Sequence, residues 1–312
     1  MSTARPSAPD VALVAFDRHR RLLFTIAYQM LGSVADAEDA VQDAWLRWSA
    51  ADRTDVADPR AYLVRITSRL ALDRLDSARS RRERYVGPWL PEPLLTGSSA
   101  VAGAPPPPDP DDAAVLGEQV SLALLVVLET LSPAERAVFV LREVFGLPAA
   151  EVAAILGRSE AAVRQTAHRA REHVRARQPR FDTDRSTQRL ATERFLAACA
   201  GGDVEALLAA LAPDVVLVSD GGGRAKAARR PIVGAQKVVR FLVATAGQGL
   251  SIPGLRLEVT DVNGAPGVVA WVRGEPFMTM SLLLVDGLVE RVLVVRNPEK
   301  LTGLPTAATE PT

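Results

Sequence analysis

Apolar positions recur at helical spacing through the first quarter of the chain. Val14, Phe16, Leu23, Ile26, Ala27 and Met30 form such a series between Val11 and Leu31, and Gly32 closes it. Ser33 with Asp36 opens a second helix. Its apolar stripe is Val41, Ala44, Trp45 and Trp48, while Glu38, Asp39, Gln42 and Asp43 lie on the other faces. Asp58-Pro59, an N-cap followed by a first-turn proline, begins a third helix with Tyr62, Leu63, Ile66, Leu70 and Leu75 inward. Arg60, Arg65, Arg69 and Arg74 are spread around that helix, and Arg79, Arg81, Arg82 and Arg84 follow at its end.

The stretch Ser132 to Arg177 predicts a helix, a tight turn and an arginine-loaded second helix. Ser132 is an N-cap, Pro133 fits the first helical position, and Glu135 stands where a capping box places its acid. This helix runs to Phe145 and stops at Gly146. A short helix spans Ala149 to Leu156, Gly157-Arg158 turns the chain, and Ser159 caps a last helix bearing Arg164, Gln165, His168, Arg169 and Arg171. Val152, Ile155, Leu156, Val163 and Ala167 fold inward against Val138, Phe139 and Val144. Forked donors remain outward, suited to guanine edges and phosphate oxygens. An amphipathic hairpin with a merely solvated polar face is the alternative at this level.

The pattern breaks over residues 87–112. Proline and small residues forbid a helix there and favour an extended, semi-rigid connector, in which Trp89-Leu90-Pro91-Glu92-Pro93 is odd for a spacer because an exposed tryptophan wants a surface. From Thr183 the apolar spacing returns, first as a helix through Leu190, Phe195, Leu196 and Cys199, then as a second through Leu207, Leu208 and Leu211. Short apolar bursts follow at Asp214 to Val218, Leu255 to Val262, Gly267 to Val272, Met278 to Val285 and Leu288 to Val295. Asp286-Gly287 between the last two is a hairpin signal.

The chain has 312 residues, 48% of them hydrophobic, enough for two or three domains with their own cores. Its formal net charge of zero averages opposite segments: arginine gathers in 60–84 and 158–180, and acid in 10–58. A solvated basic helix and a phosphate-tracking surface both fit the third helix, and the acidic face of the second is either solvated or docks on a basic partner. The single cysteine, Cys199, excludes an internal disulfide and a cysteine zinc site, and it reads as a core thiol. No leader or membrane-length apolar run is visible, so a cytoplasmic protein without membrane contact is expected.

Three runs in order, GSVADAEDAVQDAWLRW, DPRAYLVRITSRLALDRLDSARSRRE and the SPAER helix-turn-helix, resemble a bacterial sigma factor of the extracytoplasmic function type in the sigma-70 family. The resemblance implies two all-α sigma domains. Region 2 (residues 10–86), a helical bundle, docks on the clamp of RNA polymerase and melts the minus-10 element. Region 4 (residues 113–179), a helix-turn-helix, reads the minus-35 element. Carried over, Asp36, Asp39, Gln42 and Asp43 face core polymerase; Arg60, Arg65, Arg69, Arg74, Arg81 and Arg82 handle the opened promoter strand; and Arg158, Ser159, Arg164, Gln165, His168 and Arg169 serve the minus-35 site. Asp76 departs from the pattern, since relatives more often place a basic residue there, which puts one backbone contact in doubt.

Helices followed by a curved sheet resemble the SnoaL-like branch of the nuclear transport factor 2 (NTF2-like) fold, an α+β cone, here over residues 183–302, with a disordered tail at 303–312. WLPEP, the DGGGR run of Asp220, Gly221, Gly222, Gly223 and Arg224, and the NPEKL run of Asn297, Pro298, Glu299, Lys300 and Leu301 resemble the signature of SigJ-type sigma factors, which carry this fused domain. That implies regulation in cis in place of a separate anti-sigma protein, with Trp89 to Pro93, Asp220 to Gly223, Asn297, Pro298, Lys300 and Leu301 as contacts. An enzyme is not expected: the three histidines, His19, His168 and His173, and the three tyrosines, Tyr28, Tyr62 and Tyr85, all lie outside the cone. Asp214, Asp220, Glu258 or Glu275 would be a lone base with no electrophilic partner. No cofactor or metal is called for. An unidentified small ligand in the cone stays open, as does the competing class, a one-component repressor or activator that senses such a ligand.

Overall fold

A computed structural model describes residues 8–52, 56–96, 121–177 and 184–307. They fall in two compact units, one made of residues 1–81 and 127–177, the other of residues 82–126 and 178–312. The connector beyond Thr96, residues 113–120 and the side chain of Asp76 lie outside the described residues.

The first unit is all helical. Helices α1 (Ala8–Leu31), α2 (Val34–Ala50) and α3 (Pro59–Glu83) begin as the caps dictate: the Asp36 N–H donates to Ser33 Oγ at 3.2 Å, and the Ala61 N–H to Asp58 Oδ1 at 3.1 Å. Phe16 and Trp45 rings meet at 5.0 Å, and Trp48 Nε1 donates to Ala12 O at 2.9 Å, closing α1 on α2. Val14, expected inward, is 69% exposed. Ala12 and Phe16, four residues apart, occupy the buried face, and Val14 is turned about 200° from each at 100° per residue.

After α4 (Leu122–Leu128), helix α5 (Pro133–Phe139) opens with the complete capping box: Ser132 N–H donates to Glu135 Oε2 and Glu135 N–H to Ser132 Oγ. The Ser132 hydroxyl also holds the Glu135 carboxyl below the usual carboxylate range. The helix ends in one π turn, Val140–Val144. Helices α6 (Ala149–Leu156) and α7 (Glu160–Arg177) are joined across Gly157, whose left-handed backbone (φ 63°) makes the turn. Val138, Phe139, Val152, Ile155, Val163 and Ala167 are all buried, as the periodicity demands.

The second unit is α+β. Helices α8 (Arg185–Gly201), α9 (Val204–Ala210) and α10 (Ala235–Leu250) accompany strands β1 (Leu211–Asp220), β2 (Ile232–Val233), β3 (Leu255–Val262), β4 (Ala265–Val272), β5 (Glu275–Val285) and β6 (Leu288–Val295). The sheet order is β2-β1-β6-β5-β4-β3, antiparallel except for the parallel β1–β6 pair. Two features correct the sequence reading: Leu211 begins a strand instead of ending a helix, and α10 stands where no element was assigned.

Both faces of the sheet are covered, which explains strands that read as apolar runs. Val268, Leu282, Leu284, Val292 and Val294 pack with Phe195, Cys199, Leu207, Val238, Val239 and Leu242 of the helices. Their neighbours Val269, Leu283, Leu293 and Val295 turn the other way, with Trp271, onto Leu90 and Leu95 of the connector, Leu122 and Ala123 of α4, and Leu301 and Leu304. Leu304 is buried, Trp271 Nε1 donates to Pro305 O at 3.1 Å, and Ala307 N–H to Gly274 O at 2.9 Å, so the segment through Ala307 is packed and not the disordered tail expected from residue 303. Leu95 bridges Val262 while the Asn263 N–H donates to Leu94 O, so the connector caps the edge strand β3. Among the described residues no helix is long and apolar enough to cross a membrane.

Candidate functional site

The outward face of α7 carries the residues that sequence reading placed at the minus-35 element. Arg158 and Ser159 sit at its start, and Arg164, Gln165, His168 and Arg169 are all exposed on it, one helical turn apart in pairs. Arg164 Nη1 pairs with Glu160 Oε2 at 2.8 Å, which orients the fork while leaving its remaining donors outward. Val163, Thr166, Ala167, Ala170 and Val174 bury the opposite face.

In the first unit the acids assigned to polymerase and the arginines assigned to the promoter strand meet each other. Arg74 pairs with Asp43 at 2.6 Å and Arg81 with Asp36 at 2.7 Å. Arg69 is exposed and also tied within the unit: its Nε and Nη2 donate to Ile155 O and Ala154 O, each at 2.8 Å, satisfying carbonyls at the C-terminal end of α6. Arg60 and Arg65 are exposed, as are Asp39 and Gln42 on α2. Leu46, one turn beyond Gln42, is 56% exposed, an outward apolar group the sequence reading did not single out. A second tie crosses the unit at Arg136, 1% exposed, whose Nε donates to Gln29 O at 3.0 Å and whose Nη1 pairs with Glu129.

The second unit brings the three motif runs to one carboxylate. Asp220, fully buried at the end of β1, accepts from Tyr85 Oη at 2.5 Å, from the Leu90 N–H at 2.8 Å and from Lys300 Nζ at 2.7 Å. Its carbonyl oxygen accepts the N–H groups of Arg296 and Asn297. Lys300 also donates to Leu90 O and stands 3.8 Å from the Trp89 ring centroid, against which Arg82 lies at 3.9 Å. Arg82, read as a promoter-strand residue, thus has Trp89 as its partner here. Burial lowers the Lys300 ammonium to about 8, against the opposing pull of Asp220. Burial and the Asp220 hydrogen bond raise the Tyr85 phenol, which stays a neutral donor. Pro91, Pro93 and Leu301 are buried beside this junction, and Glu299 pairs with Arg224 at 2.7 Å.

Gly222 explains the glycine run. At φ 58°, a Cβ there would stand 2.4 Å from Asn297 Nδ2 and 2.8 Å from Tyr85 Oη, and Asn297 Nδ2 donates to that same phenol at 2.7 Å. Gly222→Ala therefore combines backbone strain with a clash and is expected to cost about 2 kcal/mol of second-unit stability, read by thermal unfolding; a loss below about 0.5 kcal/mol would refute the fit. Tyr85 itself was missed as a site residue. The only hint was an aromatic between the arginine run and Gly87, with its partner 135 residues away.

Comparison with known proteins agrees with this architecture. The Sigma-70 region 2 family matches residues 15–81 and the Sigma-70, region 4 family residues 121–174. The ECF RNA polymerase sigma factor SigJ of Mycobacterium tuberculosis is 43% identical over 299 residues, covering 93% of either chain. The probable ECF RNA polymerase sigma factor SigI of the same species is 34% identical over 303 residues, 96% of this chain and 97% of that one. The crystal structure of M. tuberculosis SigJ superposes with a TM-score of 0.75 at 38% identity, covering 95% of this chain and all of that one. Two sigma regions in order, followed by an α+β domain on which the connector is seated, and relatives alike over nearly their whole length lead to one assignment: the chain belongs to the extracytoplasmic function sigma factors of the sigma-70 family, in the SigJ-type group with a fused C-terminal domain.

Proposed function

We propose that the C-terminal domain governs this sigma factor in cis by holding the connector, and that no separate anti-sigma protein is required. The Asp220 carboxylate carries the reading: its three donors come from Tyr85, Leu90 and Lys300, so the residues between region 2 and region 4 are captured by the DGGGR and NPEKL runs through buried, charge-assisted bonds. In the first unit, Arg74 and Arg81 rest on Asp43 and Asp36 and exchange them for promoter phosphates. Partly exposed pairs of this kind contribute about 1 kcal/mol, so the exchange is cheap. Asp39, Gln42 and Leu46 present the clamp-facing stripe, and Arg164, Gln165, His168 and Arg169 enter the minus-35 major groove. Converting a 1:99 population of released connector to 99:1 takes about 5.5 kcal/mol of differential affinity for polymerase, within reach of a protein interface.

Run-off transcription with bacterial core polymerase tests this. The full chain gives a core-dependent transcript, Arg164→Ala lowers it about 10- to 100-fold on the cognate minus-35 element, and a chain ending before Asn297 gives more product than the full chain. Equal output from the full and shortened chains would overturn control in cis. Absence of any transcript together with tight unaided binding to duplex DNA would favour the ligand-sensing repressor instead.

A further inference from the structure

Between Asp220 and Glu258 the sequence holds seven basic residues and no acid. None of these belongs to the two sigma regions; Arg224 enters the connector junction through its pair with Glu299, and the backbone of Arg229 stands 3.9 Å from where a Cβ on Gly87 would lie, with its side chain exposed. Arg229 and Arg230 are exposed in the loop between β1 and β2, and Lys237 and Arg240 are exposed on α10. Among the described residues no carboxylate lies within ion-pairing distance of these four.

The loop leads through the two residues of β2 directly into α10. Val238, Val239 and Leu242 turn α10 into the core, which leaves Lys237, Arg240, Ala244 and Gln248 aligned outward at helical spacing. Lys226 Nζ donates to Gln248 Oε1 at 3.3 Å, fastening the loop along that same row. From Lys237 to Gln248 the row is about 16 Å long, the axial length of about five base pairs of duplex. Like charges without acids between them repel one another, a cost that a polyanion relieves.

We propose that this face is a third promoter contact, in which Arg229, Arg230, Lys237 and Arg240 bind the phosphate backbone of duplex DNA without reading its sequence. The proposal rests on the sigma-factor reading and adds to it a DNA-binding role for the fused domain. Backbone contacts of this type add affinity uniformly across sequences and make it salt-dependent.

The test uses the full chain assembled with core polymerase, titrated onto promoter duplex at several salt concentrations. The variant carries Arg229→Ala, Arg230→Ala, Lys237→Ala and Arg240→Ala; all four side chains are exposed, so folding is retained. The slope of log affinity against log salt is expected to fall by about 0.9 per lost phosphate contact, about 3 to 4 in all if each residue meets one phosphate, with equal proportional loss on promoters of different minus-10 and minus-35 sequence. A charge-preserving variant (R229K, R230K, K237R, R240K) keeps the wild-type slope. An unchanged slope in the alanine variant overturns the proposal. So does a loss confined to binding of phosphatidylglycerol vesicles, which would assign the face to a lipid surface. Wild-type run-off transcription, measured alongside, keeps failure of this contact distinct from failure of the sigma assignment.

Discussion

Asp220→Ala is expected to lower the stability of the second unit by about 3–5 kcal/mol, the usual cost of leaving a buried charge without its partner. Three donors lose their acceptor at once: the Tyr85 phenol, the Leu90 N–H and the Lys300 ammonium, itself 7% exposed. Adding Lys300→Met should return a large part of that loss, because the uncompensated charge goes with it and an apolar stem remains against Trp89. The sequence offers a direct readout, since its only lysines are Lys226, Lys237 and Lys300. Amine acylation at pH 8, followed by peptide mass spectrometry, should modify the exposed Lys226 and Lys237 readily and Lys300 at least about tenfold more slowly in the wild type. Burial lowers the Lys300 pKa, so a larger share of it is neutral at that pH than of an exposed lysine, and slow labelling reports burial and not protonation. In Asp220→Ala the connector is released and Lys300 labelling should speed up; if it labels as fast as the other two in the wild type, the buried junction does not exist.

Arg136→Met is expected to cost the first unit about 3–5 kcal/mol by the same reasoning applied to a different tie. Arg136 belongs to α5 of region 4 and reaches Gln29 O of α1 in region 2, with Glu129 as counter-ion. Its Nη2 and the side-chain amide of Gln29 are buried without a protein partner, and unsatisfied groups of this kind cost about 1–3 kcal/mol each. The contact between the two regions is thus specific in geometry yet incompletely satisfied. Hydrogen exchange should show protection in α1 and α5 falling together in Arg136→Met, and partial recovery in Arg136→Met with Glu129→Gln. Unchanged exchange in α1 would mean that Arg136 serves only its own helix.

Local rules made the sigma half readable. The capping box at Ser132 and Glu135, the turn at Gly157 and the stripe of Ala44 and Trp48 are decided within a few residues of each other, so the sequence displays them directly. Helix α10 escaped because Gly234 precedes it without a side-chain cap and Gly247 and Gly249 lie in its last turn, so no start or stop signal frames it. Leu211 was misplaced for a related reason: α9 passes into β1 with no intervening breaker. The motif strings around Asp220 and Lys300 were visible, but their meeting was not, since the contacts span 80 to 210 residues. The resemblance assigns Arg69 and Arg82 to the promoter strand. Their contacts in this fold, to helix-end carbonyls and an indole ring, are set by tertiary packing that a motif match does not report.

The bond from Lys300 to Leu90 also sets an order of events during synthesis. The two residues are 210 positions apart, and at about 5–20 residues per second the ribosome needs about 10–40 s to pass from one to the other. Region 2 and the connector therefore emerge well before the Lys300 end of the junction has been made. Each new molecule begins without that junction, and any chain broken off before Asn297, by a stalled ribosome or a protease, lacks the Asn297 and Lys300 contacts to Tyr85, Leu90 and Asp220.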